Sequence, residues 1–275
     1  MTGTSERNFR NEFKLFPSIF IREAFQNTLD ARASRDPARV RIDFVGENEG
    51  LNAAYLSNAI HDLKPHILAA NIFTKDEFKN LTPQVLVFEE FNTTGLTGKT
   101  NESHAQGEDE RWANFWHGEG KRTKIGKSMG RAGEGKITYH QASQIRTLLA
   151  WSIRKKDPVG CLYGKCIFRE DYELDKVRYP RHAHWALTDG NDSNDPQPLP
   201  CEEPDELDCF KSAFGLRRKT DEMGTSFIMP YPHESLDKMS LTEALVSEFF
   251  YTILNGSLIV EICGESIDAN TIEHY

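Results

Sequence analysis

Three residues in the stretch REAFQNTLDA, namely Glu23, Asn27 and Asp30, stand at offsets of four and seven. On a helix those offsets share one face, so a carboxylate, an amide oxygen and a second carboxylate converge. Taken alone, the pattern also fits a solvated helix face. Its chemical interest is that a Mg²⁺-bound phosphate needs an oxygen ligand that leaves room for waters, beside a carboxylate able to orient a water molecule.

Three further stretches bear on the same chemistry. VLVFEEFNTTGLTG is an apolar run over residues 85–88 that delivers Glu89 and Glu90, then Asn92, Gly95 and Gly98. A carboxylate buried at a strand end can accept the amino group of a base such as adenine, and glycines let backbone approach the ring. A turn with two solvated glutamates fits the same letters. The third stretch is Gly130-Arg131-Ala132-Gly133-Glu134-Gly135-Lys136, a G-x-x-G-x-G pattern that follows Lys121, Arg122, Lys124 and Lys127. Bare amides leading into a helix N-terminus can wrap phosphate oxygens. It is not a dinucleotide fingerprint, because no strand runs directly into it and no acid-tipped second strand follows at the expected distance. Fourth, Gly224-Thr225 precedes an apolar run and could bring a hydroxyl to a base; by itself it is a turn.

The elements that must position these groups read as follows. Residues 9–34 carry apolar positions at helical spacing, with a helix start suggested at Pro17-Ser18. Residues 38–45 alternate with period two, as a half-buried strand does. Residues 52–80 read as helical, 85–88 as a central strand, and 93–135 as a long loop anchored only by residues 112–116. Residues 137–153 suggest a helix running into a strand, 160–179 a strand pair, and 180–210, rich in proline and acid, a surface insertion. A strand at 225–229, a helix at 241–253 and a strand at 258–262 complete the order. No internal repeat is present.

The chain has 275 residues and a net charge of −9, which argues against a broad nucleic-acid footprint of its own. Neither a signal-like N-terminus nor an apolar run of roughly 18 residues is present, so a cytoplasmic protein without membrane contact is expected. The five cysteines make an odd count and read as reduced thiols. Cys161 and Cys166 with His182 and His184 lack the tight pair spacing of a zinc site.

In their order and spacing, the helix with Glu23, Asn27 and Asp30-Ala31, the strand with its acid and glycines, the G-x-x-G-x-G stretch and Gly224-Thr225 resemble the GHKL ATPases of the Bergerat fold. That family includes DNA gyrase B subunits, MutL mismatch-repair proteins, heat-shock chaperones of the ninety-kilodalton class and MORC proteins. The resemblance spans residues 10–232 and is closest to MORC-like bacterial members. It implies an α+β fold, a two-layer α/β sandwich with a mixed, mostly antiparallel sheet and helices on one face. The ATP-binding domain would occupy residues 1–235, with insertions near 47–82, 99–125 and 180–210. Residues 236–275 would end that domain or begin another. It also implies ATP and Mg²⁺ as ligands, with Glu23 as general base, Asn27 as Mg²⁺ ligand and Asp30 near the nucleotide. Glu90, with Asn92 and Gly95, and Thr225 would meet the adenine; Lys127, Gly130, Arg131, Gly133, Glu134, Gly135 and Lys136 would surround the phosphates.

The family's second box reads Asp-x-Gly-x-Gly, whereas here only Gly95-Leu96 fits and one inserted residue separates Glu90 from its expected place, so Glu89 and Asn92 stand as alternatives. An acid at Glu23 favours hydrolysis over transfer to a histidine. The resemblance further implies lid closure and homodimer formation on nucleotide binding, with DNA or partner proteins engaged through other domains. Three other readings compete with hydrolysis. One is a nucleotide clamp with little turnover. Another is a P-loop ending in Gly98-Lys99-Thr100, which lacks the glycine five residues before Gly98. The last is a purely protein-binding domain.

Overall fold

The computed structural model describes residues 3–101, 110–118, 136–154, 160–188 and 197–275, with backbone only for residues 3–14. Lys127, Gly130, Arg131, Gly133, Glu134 and Gly135 therefore lie outside the described residues.

In chain order the elements are α1 (Gly3–Asp30), β1 (Ala38–Gly46), α2 (Ala53–Ala59), α3 (Lys64–Ala69), α4 (Lys75–Lys79), β2 (Gln84–Phe91), α5 (Arg111–Trp116), α6 (Ile137–Gln141), β3 (Thr147–Ile153) and β4 (Cys161–Ile167). There follow β5 (Tyr172–Leu174), β6 (Val177–Tyr179), β7 (His182–Trp185), β8 (Leu187–Thr188), β9 (Pro198–Leu199), α7 (Pro204–Ala213), β10 (Gly224–Pro230), α8 (Lys238–Leu254), β11 (Leu258–Ile262) and β12 (Glu265–Ile267). Eight strands form one sheet in the order β12-β11-β1-β2-β10-β3-β4-β7. Every neighbouring pair is antiparallel except β1 with β11.

Both faces of the sheet's centre are apolar, because β2, β3 and β10 carry nearly continuous hydrophobic runs rather than alternating ones. On one face, Leu86, Phe88, Phe227 and Met229 meet Phe20, Ile21, Ala24 and Phe25 of α1 and Leu241, Leu245 and Phe249 of α8. This is the expected sandwich of sheet and helices, except that helices also stand on the second face rather than on one alone. On the other face Val85, Val87, Leu149 and Ile228 are covered by Leu56, Ile67 and Phe210 of the short helices α2, α3 and α7.

Three local expectations are corrected. The first helix does not begin at Pro17 but runs through it. A proline inside a helix costs roughly 3 kcal/mol, and the complete burial of Phe20, Ile21, Ala24 and Phe25 against the sheet opposes that cost. Residues 160–179 hold the expected strand pair only in part: β5 pairs with β6, while β4 joins β3 and β7 of the main sheet. The segment read as a surface insertion supplies β7, a strand of the main sheet.

Candidate functional site

The two adjacent glutamates of β2 have opposite surroundings because successive strand residues point to opposite faces. Glu89 is fully buried on the α7 side. Its carboxylate accepts from Arg41 Nη1 at 2.6 Å, Ser226 Oγ at 2.8 Å, Arg217 N at 3.1 Å and Arg218 N at 3.3 Å. Four donors saturate it as a structural anchor. Glu90 shares the parity of Leu86 and Phe88 and is buried on the α1 side. It accepts from Thr28 Oγ1 of α1 at 2.9 Å and from Thr93 Oγ1 at 3.2 Å, and Thr225 stands opposite it in the ladder. Burial pushes its pKa up, against the pull of Thr28, Arg218, Thr93 and Thr225 in that order.

Asn92 takes no part in this cluster. Its Nδ2 donates to the carbonyls of Asp36 and Pro37 at 2.9 and 3.2 Å, and its Oδ1 accepts from Ser34 Oγ at 3.0 Å. The amide thus holds the loop between α1 and β1, which removes it as a reader of a base. Of the three acids and amides considered at this box, Glu90 alone faces α1.

Two glycines allow the close approaches around Glu90. Gly224 has φ of +136°, and a Cβ there would stand 2.1 Å from the Glu90 carbonyl oxygen. Gly95 has φ of +65°, and its Cβ would meet the Ile153 carbonyl at 2.4 Å. Next to them, Ser152 Oγ accepts from Leu96 N at 2.8 Å and lies 3.2 Å from Thr225 Oγ1. Beneath the box, the guanidinium of Arg218 donates to the Glu90 carbonyl at 2.6 Å, to Ser226 Oγ at 3.0 Å and to the Glu222 carbonyl at 3.2 Å. It also lies over the Phe91 ring, 4.5 Å from the centroid. Burial lowers its pKa to about 10, with Glu89 and Glu90 opposing the shift, so it stays cationic at neutral pH.

On α1, Glu23 and Asn27 are half-buried, while Asp30 is exposed at the helix end. The Asp30 carbonyl accepts from Arg111 of α5 at 2.8 Å. Tyr139 of α6 is fully buried among Phe227, Phe20, Phe115 and Phe88. Its hydroxyl is kept protonated chiefly by burial, then by the charge of Glu90, with Glu23 adding to the shift and Asn27 opposing it. These four residues therefore share one neighbourhood. The Asn27 side chain and the Tyr139 hydroxyl face one another closely enough for Asn27 to lower the hydroxyl's pKa, and among the described residues neither Asn27 Nδ2 nor that hydroxyl has a second partner.

Lys136, the first described residue after the glycine-rich stretch, donates to the Asn114 carbonyl on α5. Burial, with the charge of Lys165 adding, lowers its pKa to about 8. Through Arg111 and Lys136, α5 bridges the end of α1 and the end of that stretch. The second glycine-lysine motif has a different setting. Gly98 O accepts from Arg154 at 3.5 Å, Lys99 N donates to Glu110 at 3.2 Å, and β2 before them has antiparallel partners on both sides. A P-loop belongs at the end of a parallel strand feeding a helix, so Gly98, Lys99 and Thr100 do not form one.

Thr28, Thr93, Ser152, Arg218 and Tyr139 were not singled out by sequence. Thr28 and Tyr139 adjoin the first and third motifs; Arg218 sits in LRRKTDE, whose letters read as a solvated turn.

No protein-family model and no curated protein matches the chain. Solved structures similar to it include the ATPase region of Saccharomyces cerevisiae topoisomerase II bound to ICRF-187 (dexrazoxane), with a TM-score of 0.39 and 10% identity over 95% of this chain and 51% of that one. A second structure of the same region gives a TM-score of 0.37 and 10% identity over 93% and 48%. The chain spans about half the length of both. Among the described residues, no helix is long and apolar enough to cross a membrane.

Proposed function

We propose that the chain binds ATP with Mg²⁺ between α1, the exit of β2 and the glycine-rich stretch that ends at Lys136, and hydrolyses it. The observation that carries this reading is Glu90, a buried carboxylate joined to α1 by Thr28 and faced across the ladder by Thr225. That one group draws together three of the four motifs read from the sequence. In this reading Glu90 and Thr225 recognise the adenine amino group, with Gly95 giving room for the ring. Asn27 and Tyr139 adjoin one another within reach of the charges of Glu23 and Glu90. Asn27 would hold the ion, which neutralises phosphate charge when bound. Glu23, one helical turn away, orients the attacking water as general base, and Asp30 lies at the site's outer edge. Gly130, Gly133 and Gly135, with Lys127, Arg131, Glu134 and Lys136, wrap the phosphates as a lid.

Closure of that lid, pairing of two copies on nucleotide binding, a MORC-like setting and work on DNA or partner proteins extend the same reading by resemblance. The test of ligand class is an equilibrium titration of the whole chain with Mg-ATP and Mg-GTP. Saturable ATP binding, with GTP weaker by about tenfold or more, supports adenine recognition by Glu90. Equal binding of both, or of neither, removes it.

A further inference from the structure

A cavity of about 820 Å³ opens on the sheet face opposite α1 and is separate from the nucleotide site proposed above. Ile60, Leu63, Leu149, Cys166 and Trp185 are among the apolar residues that line it. Its border also includes residues 183–187 without a gap.

β7 is the last strand of the sheet, and among the described residues no backbone group of 183–186 is bonded on the side away from β4. The cavity rim is acidic. Asp62, Glu203 and Asp205 are exposed there and form no ion pair or side-chain hydrogen bond among the described residues, while Glu206 accepts from the Tyr55 hydroxyl at 2.5 Å. Lys165 also borders the cavity, but its amine is engaged by the Trp116 carbonyl at 2.8 Å.

We infer that this cavity and the β7 edge dock an extended segment of a partner protein that carries lysine or arginine at alternate positions. The segment's backbone adds to β7 as a ninth strand. Its i and i+2 side chains then share the cavity face, their aliphatic stems lying on Trp185 and Leu63 and their charged heads meeting Asp62, Glu203 and Asp205. The net charge of −9 favours the approach of a basic partner. Nothing in this assignment depends on ATP.

The test is selection of a random-peptide phage library on the immobilised whole chain, then fluorescence anisotropy of the recovered peptides. The expected result is enrichment of Lys or Arg at alternate positions, and binding weakened about tenfold or more in the exposed triple variant Asp62→Asn/Glu203→Gln/Asp205→Asn. Backbone N-methylation of a recovered peptide at alternate residues should also abolish binding. No enrichment, enrichment of acidic peptides, or basic peptides that bind the triple variant as they bind the wild type would overturn the inference. So would N-methylated peptides that bind unchanged, or spermidine binding as tightly as the peptides, which would make the cavity a small-amine site. Circular dichroism of the triple variant separates lost binding from lost fold.

Discussion

Thr28 Oγ1 lies 2.9 Å from the Glu90 carboxylate and 3.0 Å from the Ala24 carbonyl, so one hydroxyl proton faces two acceptors. If Glu90 is protonated, the pair has two protons for those acceptors, and both can be satisfied. The arrangement agrees with the upward shift that burial imposes on Glu90.

A pH dependence follows, and its sign is fixed by the shift. A carboxyl whose folded pKa lies above its ordinary value of 4.5 binds its proton more tightly in the folded chain. Its contribution is fully present below 4.5 and is lost as pH rises through the folded value. Glu90→Gln removes this dependence. Urea unfolding from pH 4.5 towards neutrality should therefore show the wild type losing stability relative to Glu90→Gln, by up to about 1.4 kcal/mol per pH unit within the window. A difference that does not change with pH would contradict the raised pKa.

Arg218 is a positioning residue, since it acts on the site through the Glu90 carbonyl and through Ser226 beside Thr225. Arg218→Met leaves Glu89 with fewer compensating charges and Glu90's carbonyl without a donor. The expected loss is about 3–5 kcal/mol in urea unfolding. A loss below about 1 kcal/mol would place the guanidinium among surface cations in energetic terms.

Gly224 and Gly256 both have positive φ, but only the first is crowded. Gly224→Ala should cost roughly 2–4 kcal/mol from strain and clash together, while Gly256→Ala, with nothing within 4 Å of the new Cβ, should cost about 1 kcal/mol. Thermal unfolding of the two variants side by side checks the ranking, and equal losses would mean that the ladder at Glu90 relaxes freely.

Tyr139→Phe separates folding from binding. Deleting a buried hydroxyl whose one polar neighbour among the described residues is the Asn27 side chain should change stability by no more than about 1.5 kcal/mol. If that hydroxyl meets the ligand, Mg-ATP affinity should fall by about tenfold, some 1.4 kcal/mol. Unchanged affinity would make Tyr139 a core residue only.

Much of this arrangement was legible in the sequence where local pattern and tertiary demand agree. Glu23 and Asn27 share a face because the apolar residues between them bury at helical spacing, and β2 and β10 are readable as central strands from their continuous apolar runs. The choice between Glu89 and Glu90 was also available by parity, since Leu86, Phe88 and Glu90 alternate with Val85, Val87 and Glu89. Non-local causes were not readable. Arg218 is buried only because β10 and β2 bring Ser226 and Glu89 to it from distant positions in the chain. β7, with the sequence HAHW, has no strong strand signal and owes its conformation to pairing with β4. Asn92 looked equivalent to Glu90 in the sequence and is excluded only by its bonds to residues 34–37.

In the proposed site Glu23 and Asn27 face one Mg-ATP molecule with different duties. Calorimetric Mg-ATP binding and phosphate release should be measured together on the wild type, Glu23→Ala and Asn27→Ala. Glu23→Ala should still bind but lose turnover by about a hundredfold or more, and Asn27→Ala should lose Mg²⁺-dependent binding. Wild-type binding without phosphate release would leave a nucleotide clamp rather than a hydrolase. Binding and turnover untouched by either change would mean that α1 does not hold the nucleotide.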